Sequence, residues 1–138
     1  MSNEFANNLT DAVYEKSVAY PAANATVLTA SMDLGHVPPQ ISPENVEVEM
    51  EIPALANNSD NTKTILHDLH DSADDSTFAE VDPLIESKLV GVTTTGSAAK
   101  KVRFRLPSGV RRYIKVKITV PTGAGDNTAS TFKVRLKF

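Results

Sequence analysis

The residues best suited to chemistry lie in one short segment, His67 to Asp71 (HDLHD), with Asp74 and Asp75 close behind. Imidazole nitrogens and carboxylate oxygens are typical ligands of zinc and non-haem iron. If the segment is a strand, the odd spacing places His67 and His70 on opposite faces. The third histidine, His36, lies in a proline-rich loop. We therefore interpret the segment as structural or solvated rather than as a metal site, and we expect no cofactor.

Other catalytic patterns are weak. The stretch Asp71–Ser76 has the acidic character of a calcium loop, but it lacks the required glycine and the final bidentate glutamate, so an Asx-type turn is favoured. No serine lies in a G-x-S-x-G elbow, and Gly123–Gly125 lacks the residues of a phosphate-binding loop. The absence of cysteine removes disulfides and thiolate chemistry. We expect no enzymatic activity, and a cupin-like metal enzyme is the least favoured hypothesis.

The elements that must position these residues read as strands. Three late runs (KKVRFRL, YIKVKITV and TFKVRLKF) alternate apolar with charged or polar residues, and VEVEMEI at 46–52 does the same. A period of two with β-branched and aromatic residues is typical of half-buried strands. Earlier and weaker runs bring the total to seven or eight. One of them is ATVLTASMDL at 25–34, whose alternation predicts one face with Leu28, Ala30, Met32 and Leu34. The pattern predicts an all-β sandwich or jelly roll of about eight antiparallel strands in two packed sheets.

The first 24 residues differ from the rest, being rich in Asn and Ala. Phe5, Leu9 and Val13 have helical spacing, and Pro21 ends the segment. We predict an extended or partly helical arm at residues 1–24 that becomes ordered on contact with a neighbour, followed by the sandwich at residues 25–138. A frayed terminus is the alternative.

Charge is strongly polarised along the chain. Up to residue 99 there are three basic residues against sixteen acids, and from residue 100 there are eleven basic residues and one acid. One interpretation is internal pairing of Glu47, Glu49 and Glu51 with the late basic strands. The other is a dipolar docking surface. Overall acidity argues against a nucleic-acid partner, and no apolar run is long enough to span a membrane. Since the first residues do not resemble a signal peptide, we expect synthesis in the cytoplasm.

Four short motifs, in order, carry a resemblance: Asp33-Leu34-Gly35, the stretch 71–78 (DSADDSTF), Leu106–Gly109 with Arg112-Tyr113-Ile114, and Gly125–Ala129. Together they resemble the jelly-roll cement, or decoration, proteins of tailed bacteriophage capsids, of the Bordetella phage type, over about residues 25–138. The resemblance implies a structural protein on the outer surface of the virion capsid. It implies binding to the major capsid protein, stabilisation of the head and self-association as dimers or trimers, without nucleic acid or membrane partners.

Two groups of side chains are candidate partner contacts. They are the arm residues Phe5, Leu9, Val13 and Tyr14, and the turn residues Arg111 and Arg112. We predict that deletion of residues 1–20 leaves a folded domain with weaker capsid attachment. The alternative function is a carbohydrate- or receptor-binding sandwich of a phage tail or a secreted protein, which exposed aromatic residues on one sheet face would favour.

Overall fold

The computed structural model describes residues 14–36 and 45–137. A 3-10 turn, Leu34–His36, lies within these ranges, and no helix of the described residues is long and apolar enough to cross a membrane. Ten strands make up the rest of the regular structure: β1 (Glu15–Ala19), β2 (Ala25–Leu28), β3 (Met32–Asp33), β4 (Glu47–Ile52), β5 (Thr64–Ser72), β6 (Ala79–Glu80), β7 (Glu86–Val90), β8 (Lys100–Arg105), β9 (Tyr113–Val120) and β10 (Thr131–Lys137).

The strands form two antiparallel sheets with jelly-roll connectivity. The first sheet has the order β1-β10-β4-β8. In the second, β2 and β3 both pair with one edge of β9, β5 pairs with its other edge, and β6 and β7 pair with the far edge of β5. Because β2 with β3, and β6 with β7, are two pieces of one strand position, the sheets contain eight positions. The predicted jelly-roll sandwich is confirmed.

The core lies between the sheets and is built by the predicted alternation. On β9 the inward residues Ile114, Val116 and Ile118 are fully buried, and on β4 the same holds for Val48 and Met50. Burying an aliphatic side chain of this size contributes roughly 1.5–3 kcal/mol. The register is therefore strongly specified, since a slip by one residue would bring the charged residues of both strands inside.

The sandwich begins earlier than residue 25. Residues 15–19 form β1, which pairs along its whole length with β10. Tyr20, directly after it, is 2% exposed and belongs to the core. Residues 14–24 are thus part of the domain and not of a free arm. The alternation of Val18 and Tyr20 is present in the sequence, but a five-residue strand at a polar terminus is a weak signal.

An irregular stretch between β2 and β3 interrupts the inward–outward alternation, so Leu28 and Met32 lie on opposite sides of the sheet. The sequence places Leu28 and Met32 on one face, yet Met32 is buried and Leu28 is 43% exposed. Thr29 is buried, and its hydroxyl accepts a hydrogen bond from the Val116 amide at 3.0 Å. This irregular stretch between β2 and β3 shifts the alternation, so Val27 packs on the core instead of Leu28.

Candidate functional site

The histidine segment lies on β5, in the centre of the second sheet, and its two histidines point to opposite sides as predicted. His67 is fully buried in the core. Its Nδ1 lies 3.3 Å from the Ser87 carbonyl, which can only accept, so Nδ1 carries the proton and Nε2 accepts from the Tyr20 hydroxyl at 2.8 Å. Burial lowers the pKa of His67 to about 4. His67 is a neutral, structural histidine.

The acidic turn that follows β5 is held by its own side chains. Asp74 Oδ1 accepts hydrogen bonds from the Ser76 amide at 3.0 Å, the Thr77 amide at 3.1 Å and the Ser72 hydroxyl at 2.8 Å. These hydrogen bonds, first that from Ser72, lower the pKa of the Asp74 carboxyl. The predicted Asx-type turn is confirmed, and this carboxylate is already occupied with donors from the chain.

On the outer side of β5, His70 is part of a group that we name the acid–histidine cluster: Asp68, His70, Glu80 and Glu86. Asp68 and His70 occupy alternate positions of β5 and therefore share a side. Glu80 of β6 lies opposite His70, and Glu86 of β7 lies opposite Asp68. Ligand atoms of Asp68, His70 and Glu80 all lie within 4.8 Å of one another.

The cluster contains buried polar atoms that lack hydrogen-bond partners. Asp68 is 6% exposed and His70 is 8% exposed, and neither Asp68 Oδ1 nor His70 Nε2 has a hydrogen-bond partner. Burial, together with the neighbouring carboxyl of Glu86, raises the pKa of Asp68 to about 7. Burial and then the charge of Lys117 lower the pKa of His70. The shift of Asp68 reflects burial beside other carboxyl groups, whereas that of His70 reflects burial beside a lysine ammonium.

The outer side of the first sheet has a very different arrangement, which we name the charged face. It consists of Glu15, Glu47, Glu49, Glu51, Lys101, Arg103, Arg105, Lys133, Arg135 and Lys137. The acidic strand β4 lies between the basic strands β8 and β10, so each glutamate of β4 has a basic residue opposite it on both sides. The internal pairing considered from the sequence is confirmed. Each such cross-strand pair contributes roughly 0.2–1 kcal/mol.

Glu49 is the centre of the charged face and is only 2% exposed. Its carboxylate accepts from Arg103 Nε at 2.8 Å and from Arg135 Nη1 at 2.7 Å. Arg135 also binds Glu15 at 2.9 Å and Glu51 at 2.9 Å. Although burial alone would raise the pKa of Glu49, the hydrogen bonds from Arg135 and Arg103 outweigh it and lower that pKa.

The charged face carries six basic and four acidic side chains, which leaves two positive charges uncompensated. Lys101, Arg105 and Lys133 are exposed. At one end of the face is a cleft of about 480 Å³, which we name the basic cleft, lined by Glu51, Ile52, Pro53, Ala99, Lys100, Lys101, Thr131 and Lys133. Lys100 Nζ donates to the Lys88 carbonyl at 2.9 Å, so Lys101 and Lys133 are the lysines that suit the cleft to a negatively charged group of a partner.

Arg111 and Arg112, predicted as partner contacts, each have a carboxylate partner within the chain. Arg111 binds the buried Asp71 through Nε at 2.9 Å and Nη2 at 2.7 Å. Arg112 binds Asp33 through Nε at 2.7 Å and Nη2 at 2.9 Å, and it lies over the Tyr113 ring. These bonds brace the turn before β9. Any contact of the two arginines with a partner stays a prediction.

Of the four candidate partner contacts in the arm, only Tyr14 lies within the described residues. Phe5, Leu9 and Val13 lie outside the described residues. Tyr14 packs half-buried against the core, and its carbonyl accepts from the Leu136 amide at 2.9 Å. Tyr14 is thus part of the sandwich rather than of a separate arm.

The sequence did not reveal the acid–histidine cluster. Glu80 follows His70 by ten residues along the chain, and Glu86 follows Asp68 by eighteen. Pro83 lies between the two glutamates and interrupts any regular pattern there. The available signal was the even spacing of Asp68 and His70, which places two potential ligands on one side of a strand. The acids that complete the cluster follow only from the pairing of β6 and β7 with β5.

The comparison with known protein families gives a match over most of the chain. A family model for Bbp16 matches residues 17–136, a range that includes every strand of both sheets from Ser17 onward. No curated protein matches the chain. Since the match spans most of the 138 residues, the chain belongs to the Bbp16 family, a family of Bordetella phage proteins.

Proposed function

We propose that this protein is a capsid cement, or decoration, protein that binds the outer surface of the major capsid protein lattice and stabilises the phage head. Membership of a Bordetella phage family supports a role in the phage particle. The observation that carries the proposal is the charged face, an internally braced surface with surplus positive charge. In this proposal the protein is not an enzyme, and it acts from the outside of the virion.

The ion pairs of the charged face prepare it for binding. The guanidinium groups of Arg103 and Arg135 are held by Glu49 before any partner arrives, so less side-chain freedom is lost on association. The exposed amino groups of Lys101 and Lys133 lie beside this rigid centre and at the basic cleft. An acidic patch on the capsid lattice is the complementary surface, and charge complementarity of this kind mainly sets specificity and association rate.

The edge of the second sheet supports the self-association that is part of the proposal. Leu84, Val90 and Val92 are 52%, 51% and 46% exposed, and all three lie on or beside the edge strand β7. An edge strand with exposed apolar side chains can pair with a second copy. Dimers or trimers formed in this way would place several charged faces on neighbouring capsid subunits, which increases total affinity without new contacts.

Co-sedimentation with mature, undecorated capsids of the source phage tests the proposal. We expect saturable binding at a fixed ratio to capsid subunits, weaker at moderate than at low salt. The variant Lys101→Gln/Lys133→Gln should bind about tenfold more weakly at low salt. The matched control Lys63→Gln/Lys88→Gln makes the same change in net charge away from the charged face and should bind normally.

Two negative results have different meanings. If the folded wild-type protein does not co-sediment with capsids, the cement function is wrong. If both double variants bind as well as the wild type, capsid binding stands but the charged face is not the interface. The described aromatic side chains are buried or half-buried, so no stacking platform among residues 14–36 and 45–137 favours the carbohydrate-binding alternative.

A further inference from the structure

We propose that Asp68, His70 and Glu80 form a binding site for a divalent transition metal ion of the zinc class, on the outer side of the second sheet. Two independent observations support it. The potential ligand atoms of the three residues lie within 4.8 Å of one another. Asp68 Oδ1 and His70 Nε2, on residues that are 6% and 8% exposed, have no hydrogen-bond partner.

The unpartnered atoms are the stronger observation. A buried carboxylate oxygen or imidazole nitrogen without a partner costs roughly 1–3 kcal/mol, and most buried side-chain polar atoms are satisfied. Here two such atoms occur on the same side of one strand, two residues apart. Each has a lone pair that accepts either a proton or a metal ion. A single cation between them would satisfy both.

The strand geometry fits a shared ion. Asp68 and His70 project in parallel from β5, and Glu80 approaches from the directly opposite position on β6. Ligand atoms around one tetrahedral zinc ion lie about 3.4 Å apart at metal–ligand distances of about 2.1 Å. Glu80 is exposed, so its side chain can move closer without disturbing the core. Glu86, opposite Asp68 on β7, adds a further carboxylate near the site.

Cationic side chains also face the cluster, from β9. Lys117 lies opposite Asp68 and Lys115 lies opposite His70. The Lys115 ammonium is placed over the Phe78 ring, 4.4 Å from its centroid, and is therefore partly engaged elsewhere. The Lys117 ammonium would compete with a metal ion for the Asp68 carboxylate. Lys117 does not satisfy His70, because His70 Nε2 has no hydrogen-bond partner.

The donor set selects the metal class. Calcium takes six to eight oxygen ligands, and magnesium keeps most of its waters, so neither gains from an imidazole. One imidazole with two carboxylates suits zinc, cobalt, nickel or manganese, with affinity rising toward the later metals. Three protein ligands leave a fourth tetrahedral position for water. The ion would join the two-residue strand β6 to β5 and stabilise that edge of the sheet.

Zinc titration of the full-length, chelator-treated protein tests the site. We expect one Zn²⁺ per chain by calorimetry, a rise in Tm on adding Zn²⁺ and little response to Ca²⁺. The variant Glu80→Gln, at an exposed position, should fold normally and bind Zn²⁺ at least tenfold more weakly. His70→Gln should do the same. The control Asp75→Asn removes a nearby exposed acid and should bind like the wild type.

Imidazole nitrogen NMR adds a direct readout. Zn²⁺ should shift the His70 ring signals and leave those of the buried His67 unchanged. The proposal is overturned if the wild type does not bind Zn²⁺, or if Glu80→Gln and His70→Gln bind it as well as Asp75→Asn does. The result is independent of capsid binding, so failure of this proposal leaves the proposed cement function untouched.

Discussion

The outer sides of the two sheets contain the same kinds of residues but treat their charges in opposite ways. On the charged face, Glu49 is almost fully buried and receives two guanidinium groups. In the acid–histidine cluster, Asp68 is nearly as buried, yet only one of its two opposite neighbours is basic, since Lys117 lies on one side and Glu86 on the other, and Asp68 has an oxygen without a partner. The difference shows that burial alone does not decide whether a carboxylate stabilises the folded protein. The identity of the residues opposite it on the neighbouring strands decides whether the buried carboxylate is compensated and stabilises the fold, or is left with an unsatisfied oxygen.

The largest expected loss of stability comes from deleting β1, the edge strand that borders the charged face. Deletion of residues 1–20 removes β1, with Glu15 and the buried Tyr20. Loss of the Tyr20 side chain alone should cost about 4 kcal/mol, by analogy with other buried aromatic residues. The prediction of a stable domain after this deletion is therefore replaced by its opposite. Urea unfolding followed by circular dichroism should find the truncated chain unfolded or severely destabilised.

Deletion of residues 1–13 is the matched control, because it keeps Tyr14 and β1. We expect this shorter deletion to keep the wild-type urea midpoint. Its capsid attachment then tests the contacts predicted for Phe5, Leu9 and Val13. Equal attachment with and without residues 1–13 would refute the arm hypothesis, and a stable fold after deletion of residues 1–20 would contradict the importance of β1.

A pair of acid-to-amide variants sharpens the comparison between the two sides. Glu49→Gln removes the charge that two arginines share and should destabilise the protein by about 3 kcal/mol. Asp68→Asn removes a crowded charge and should leave stability unchanged or raise it by about 1 kcal/mol. Both are measured by urea unfolding at neutral pH with a chelator present. Destabilisation of similar size by both substitutions would mean that Asp68 has a satisfying partner after all.

A smaller effect concerns acid stability. Because the pKa of Glu49 is lowered in the folded protein, its stabilisation is fully present above the unfolded pKa of about 4.3 and is lost as the pH falls through the folded value. Arg135, Arg103 and Lys137 are the cations responsible. The stability difference between wild type and Glu49→Gln should therefore shrink below about pH 4. Thermal unfolding from pH 7 to pH 3 measures it, and a constant difference over that range would contradict the prediction.

Much of the fold was predictable, because the alternation within a strand depends only on residues that are adjacent in the sequence. The alternation of Val46 to Ile52 and of Ile114 to Val120 is a property of single strands, and burial of the apolar residues confirms it. Glu49 is the exception, because its outward carboxylate is covered by the arginines that bind it. The opposite directions of His67 and His70 follow from the same period of two. The starting point of the domain was not predictable, because β1 is short and its stability depends on β10, more than a hundred residues away. Leu28 was misplaced because the irregular stretch at Thr29 shifts the period.

The sequence by itself determined the all-β sandwich class, the inward and outward faces of the long strands and the excess of basic residues after residue 100, since these depend on spacing and composition alone. Only the tertiary structure decided which acids meet which bases. It placed β4 between β8 and β10, which neutralises Glu49, and it brought Glu80 and Glu86 beside β5, where negative charge accumulates. Pairing of distant strands is set by the packing of the whole core, and no local pattern contains it.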